Sequence, residues 1–143
     1  MTFEELENHL PNGFHDAEIY SLKIDYMARS AIIRIALDFG SLNGPERENY
    51  RIGELQISGL FFFSIDPPDP SYPYIPDGCA LNVSGDPSKN DTFPELEKLS
   101  HTFSSGVSCY RFFVNEWNSF INIAAEEVEI FWISGENEED RPN

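Results

Sequence analysis

Basic residues are scarce in this sequence. Nine lysines and arginines face 25 aspartates and glutamates across 143 residues, a formal charge of −16. Such a chain repels phosphate backbones and anionic lipid headgroups, which argues against nucleic acid or a membrane as partner. It suits a basic protein instead. Cysteine is scarce too, with only Cys79 and Cys109. There is no CxxC and no Cys/His cluster at zinc-ligand spacing. No apolar run approaches the roughly 20 residues that span a bilayer. The opening Met1-Thr2-Phe3-Glu4-Glu5-Leu6-Glu7 lacks the basic start and apolar core of a signal peptide. The expectation is a cytoplasmic protein with two free thiols rather than a Cys79–Cys109 disulfide.

Recognisable catalytic patterns are also missing. Gly40-Ser41-Leu42-Asn43-Gly44 has neither the lysine nor the following helix of a phosphate-binding loop. Ser104-Ser105-Gly106 is a loop and not a GxSxG elbow. Cys79 has no basic neighbour to lower its thiol pKa. Asp66, Asp69 and Asp77, and Glu126, Glu127 and Glu129, fit no EF-hand spacing and read as solvated carboxylates. No catalytic residue, cofactor or metal is therefore expected.

What the chain does have is apolar and aromatic bulk: 41% hydrophobic, 14% aromatic and twelve phenylalanines. That excludes a disordered chain and favours strands. The length suits one domain with a core that needs no staples. Its expected extent is 1–134, followed by an acidic flexible tail, 135–143.

Thr2 and Glu5 form a capping-box pattern for a helix over residues 2–10, with Phe3, Leu6 and Leu10 on one face and Pro11-Asn12-Gly13 as its stop. Alternation then predicts strands. The first, Glu18–Met27, has Tyr20, Leu22, Ile24 and Tyr26 on one face. The second, Ala31–Phe39, follows at hairpin distance. The third, Tyr50–Ile65, carries Gly59 in its middle, where a bulge or bend is expected. Cys79–Ser84, Val107–Val114, Ser119–Ala125 and Val128–Ile133 complete about seven strands. A second short helix is expected over Thr92–Leu99. The fold class is mainly β with a minor helical part: an antiparallel sandwich or open barrel.

Three places draw attention as sites. His15-Asp16 is the one adjacent His–Asp pair, a general base oriented by a carboxylate if the turn twists the two together. The plainer reading has Asp16 capping the turn and His15 bonding to backbone, so that Phe14, His15 and Asp16 form a structural motif. Asp66–Gly78 holds five prolines in 13 residues. It is expected to be a stiff extended cover for strand three, with a proline-rich ligand motif as the alternative. Trp117, beside Glu116 in a predicted hairpin loop, and Tyr72 and Tyr74, near Asp69, are aromatics within an acidic rim. They are candidate partner anchors unless each tucks into the core.

The run Phe14-His15-Asp16-Ala17-Glu18-Ile19 with the strand ending Ile24-Asp25-Tyr26 resembles small bacterial β-rich proteins that carry an FHDA or FHDS lead into their domain. Some of these are grouped with immunity proteins of polymorphic toxin systems. Phe120-Ile121-Asn122-Ile123-Ala124-Ala125 before Val128-Glu129-Ile130 is similar in style. The resemblance implies a cytoplasmic single-domain protein that binds and neutralises a cognate toxin, and it implies no catalytic residues. Three readings follow: an immunity protein occluding a basic toxin, a small-molecule-binding or enzymatic β domain using His15 and Asp16, and a structural or assembly subunit. Monomer and dimer both fit the composition.

Gly135–Asn143 contains no large apolar residue, so little burial offsets its ordering entropy. Deleting it is expected to leave a cooperatively folded protein whose charge falls from −16 to −13, because four acids and one arginine leave with it. A molten or insoluble product on thermal unfolding and size-exclusion analysis would contradict this.

Overall fold

In the computed structural model, residues 1–40, 49–71, 80–85 and 106–133 are described. They form one helix, α1 (Phe3–His9), and six strands: β1 (Ala17–Asp25), β2 (Ser30–Asp38), β3 (Tyr50–Ile65), β4 (Leu81–Gly85), β5 (Ser108–Val114) and β6 (Ser119–Trp132). All neighbouring strands are antiparallel and the sheet closes on itself in the order β1-β2-β3-β6-β5-β4. The architecture is thus a closed barrel, which removes the long exposed edges of a sandwich or open sheet. Closure is made by the short strand β4, where Ala17 pairs with Val83 and Val83 with Val114. The second helix expected over Thr92–Leu99 lies outside the described residues.

The helix forms as its capping box dictates. Glu5 N–H donates to Thr2 Oγ1 at 3.1 Å, and Thr2 N–H donates back to the Glu5 carboxylate at 3.1 Å. The backbone bond from Thr2 holds the Glu5 carboxyl below its usual range. Seven residues are too few for a helix to persist alone. It persists because Phe3 and Leu6 are buried against the barrel interior, where the Phe3 ring stacks on Tyr110 at 5.1 Å.

Two bulges explain where the alternation departs from expectation. In β1 the register shifts between Ile19 and Ser21. Ala17 and Ile19 are buried before the shift, and Leu22 and Ile24 pack on the core after it. Tyr20 sits at the switch, with its hydroxyl donating to Glu18 at 3.1 Å, and Tyr26 lies beyond the strand, 84% exposed. The four residues assigned to one face therefore do not share one. In β3 the shift falls between Leu60 and Phe62, beside Gly59 at φ +60°. Past it Phe63 contributes to the core inside the barrel, while Phe61 and Phe62 pack with Cys109 and Ala124 in a separate cluster. The apolar residues on both faces of this segment thus serve two cores. Ser119–Ala125 and Val128–Ile133 are not two strands. Glu126 and Glu127 interrupt the alternation but not the chain, and β6 runs through to Trp132 against Gly53 to Ile65 of β3.

Cys109 is a free thiol, and burial pushes its pKa up. It packs with Ala124, Phe61, Phe62 and Val107 in the second apolar cluster.

Gly59 meets Glu126 so closely that an added Cβ would lie 2.7 Å from the Glu126 Cβ. That contact involves the root of the side chain and cannot be relieved by rotating its end. Gly59→Ala combines this overlap with a left-handed backbone, and the expected loss is about 1–3 kcal/mol in urea unfolding. Ser58→Ala, at an exposed position one residue earlier, is the control and should change little. Equal effects of the two would show the bulge to be freely remodelled.

Candidate functional site

Phe14, His15 and Asp16 lie in a compact loop between α1 and β1, and Ala17 opens the strand. The loop is made of successive short turns: Gly13 N–H to Leu10 C=O, His15 N–H to Asn12 C=O and Ala17 N–H to Phe14 C=O. Gly13 and Asp16 are both left-handed, at φ +54° and +53°. Aspartate tolerates that region better than most side chains. The loop is fastened by its backbone and by Asn12. The Asn12 amide donates to the Asp38 and Gly40 carbonyls at the end of β2, at 2.9 and 2.8 Å. Asp16 N–H donates to Ser84 Oγ on β4 at 3.1 Å, and Asp16 C=O accepts from the Tyr50 hydroxyl on β3 at 3.1 Å.

Phe14 is the anchor. It is fully buried, with its ring edge-on to Tyr110 at 5.7 Å and to Phe112 at 5.1 Å. Phe3 completes the group. Four aromatic rings from the helix, the loop and β5 thus fill the part of the core under α1. Each well-oriented pair adds about 0.5–1.5 kcal/mol beyond simple burial.

His15 and Asp16 behave differently from the expectation of a backbone-bonded histidine. The left-handed turn at Asp16 swings its carboxylate beside the preceding ring, and His15 Nδ1 lies 3.1 Å from Asp16 Oδ2. Both side chains are half or more exposed, at 64% and 50%. The loop therefore uses Phe14 and the Asp16 backbone structurally, and leaves the His15–Asp16 side-chain pair facing solvent.

His15 borders an open depression of about 510 Å³ between the end of α1, the FHDA loop and the end of β4, lined by Glu7, Asn8, Asn12, Gly13, Ser84 and Gly85 among others. Glu7 is its fixed polar group. The Tyr110 hydroxyl, rising from the aromatic core, donates to Glu7 Oε2 at 2.6 Å. Gly13 and Gly85 flank this carboxylate. An added Cβ on Gly13 would sit 3.0 Å from Glu7 Cγ, and one on Gly85 would overlap both Tyr110 Oη and Glu7 Oε2. Neither Glu7 nor Tyr110 carries a sequence motif. The signal that could have found them is indirect: helical spacing puts Glu7 beside Phe3 and Leu10, at the margin of the buried face.

The candidate partner anchors fall at the other end of β6. Asp69 and Trp117 are brought together, since Asp69 N–H donates to the Trp117 carbonyl at 2.9 Å. The Asp69 carboxylate accepts from the Ser71 hydroxyl and backbone and from the Asn118 amide. These bonds, the Ser71 hydroxyl first, lower its pKa. The attachment holds while the carboxylate is ionised and weakens as pH falls through the lowered folded-state value. Glu116 accepts from Asn82 N–H at the start of β4, and the Asn82 and Asn115 side chains also bond. Trp117 packs partly buried against the core. Asp69 and Glu116 thus tie the start of the proline segment and β4 to the β5–β6 turn. Tyr72 and Tyr74 lie outside the described residues, as do His101, Cys79 and the tail. Among the described residues no group of three or more His, Cys, Asp or Glu side chains is placed to hold a metal ion.

Gly85→Ala is expected to displace the Glu7–Tyr110 pair and to cost about 1–3 kcal/mol in equilibrium unfolding, through overpacking and a broken, partly buried hydrogen bond. Tyr110→Phe in the Gly85→Ala background should recover part of that loss by removing the overlapping hydroxyl. A Gly85→Ala protein as stable as the parent would show that the pair is not held against β4.

No protein-family model matches the chain, and no curated protein matches it. Among solved structures, the crystal structure of an uncharacterized protein from Neisseria gonorrhoeae aligns with 81% of this chain and 90% of that one, at 12% identity and a TM-score of 0.38, a likeness too distant to carry fold or function.

Proposed function

We propose that the chain is a non-enzymatic protein-binding module that neutralises a cationic protein by occlusion, with a cognate toxin as the partner that its FHDA resemblance implies. The observation that carries this reading is uncompensated negative charge. The chain holds 25 acids against 9 bases. Sixteen of the acids thus have no lysine or arginine to pair with, and their field extends into solvent.

An anchor for such a partner also exists on the outer face of β6. Phe131 is 47% exposed and follows the exposed acids Glu126, Glu127 and Glu129; across the ladder lie Glu54 and Gln56 of β3. A large ring within an acidic rim supplies a desolvated contact that charge alone does not. At the other end of β6, the bonds of Asp69 and Glu116 hold the Trp117 turn rigid, which lowers the entropy lost on docking there.

A second reading draws on the 3.1 Å contact between His15 and Asp16 at the rim of the depression: a small-molecule-binding or enzymatic β domain. Ligand uptake or turnover lost in His15→Ala at unchanged melting temperature would favour it over the first.

The test of the first reading is association kinetics with the partner captured from the native host. Raising salt from about 50 to 500 mM is expected to slow association by roughly tenfold or more while changing dissociation much less. Association rates that stay flat across this range would remove the electrostatic basis of the proposal.

A further inference from the structure

We infer that the depression beside Glu7 receives an arginine side chain of the cationic partner. The inference rests on the reading that the partner is cationic, and adds where one of its charges lands.

Glu7 is half-buried and held in place, which sets it apart from the freely solvated acids of the surface. Tyr110 Oη fixes Oε2 from the core side at 2.6 Å, and the backbones of Gly13 and Gly85 confine the stem. An ionised carboxylate offers roughly four acceptor sites, and the tyrosine occupies one. Oε1 and the second lone pair of Oε2 remain for a donor arriving from the depression. Among the described residues no lysine or arginine lines the depression. A carboxylate drawn partly out of water with a single neutral donor gains most from a charged, two-pronged donor.

The surroundings select guanidinium over ammonium. His15 and Ser84 line the depression together with Glu7, so its walls carry a flat ring and a hydroxyl, the Ser84 Oγ accepting from Asp16 N–H. A planar fork engages a carboxylate edge-on and stacks on a flat ring at once, whereas a compact ammonium uses only the charge. The depression opens broadly to solvent, as entry of a partner's side chain requires. His15 thereby takes a role that leaves the fold untouched: it bounds one side of the site while Phe14 does the anchoring.

The experiment uses the full chain, labelled with nitrogen-15, and titrates it with Nα-acetyl-arginine methylamide. The matched citrulline derivative, equal in shape but neutral, is run beside it. Saturable shifts are expected at the Gly13, His15, Ser84 and Gly85 amides with arginine and not with citrulline. Glu7→Gln, which keeps an acceptor for Tyr110, is expected to weaken arginine binding by roughly tenfold. Asp25→Asn, an equal loss of charge at the far end of β1, should leave it unchanged. Equal shifts with citrulline, undiminished binding in Glu7→Gln, or unsaturable shifts spread over the acidic surface would each overturn the assignment. The probe is a small molecule, so this outcome is read separately from the salt dependence of partner association. Salt-sensitive capture of a basic protein alongside a negative arginine titration would sink this site and leave the broader function standing.

Discussion

The barrel end that carries the depression depends on one aromatic cluster. Phe3 from the helix, Phe14 from the loop, and Tyr110 and Phe112 from β5 meet within 6.3 Å of one another by ring centroid. The helix is too short to exist without it, and the loop has no other buried side chain as large. Tyr110 also carries the cluster's one hydroxyl, and that hydroxyl fixes Glu7. A hydrophobic constraint inside the barrel thereby becomes an electrostatic feature at its surface.

The same logic governs the opposite end of β6. There, carboxylates rather than rings make the connections: Asp69 to Ser71 and Asn118, and Glu116 to Asn82. A chain with a charge of −16 spends several acids as acceptors for backbone and amide donors, which need no basic residue. Most of its remaining charge is left for the outside, and that division of labour is what makes a cationic partner the favoured reading.

Much of the fold was legible because local rules agreed with the tertiary outcome. The capping box at Thr2 and Glu5, the β2 alternation of Ile33, Ile35 and Leu37, and the limits of β3 read directly from residue pattern. The glycine at 59 announced its bulge. A bulge inserts a residue and flips every following side chain, so Tyr20 could not be placed from period two alone. The split of β6 had another cause: two adjacent exposed acids, Glu126 and Glu127, read as a break in a strand that continues through them. Closure of the barrel was not legible either, because it rests on a five-residue strand, β4, whose pairing with β1 crosses more than sixty positions of sequence. The site was half-visible. FHDA marked the right loop, but its chemical weight fell on Phe14 and the Asp16 backbone. Glu7 lay hidden among neighbouring acids, distinguished only by a tyrosine more than a hundred residues away.

The central claim is that the FHDA loop is anchored by Phe14 and only decorated by the His15 side chain. Equilibrium unfolding of Phe14→Ala and His15→Ala under identical conditions tests it most directly. The account predicts a loss of about 3–5 kcal/mol for the first and a change within about 0.5 kcal/mol for the second. Comparable losses for the two would contradict it, and would make the histidine part of what holds the fold together.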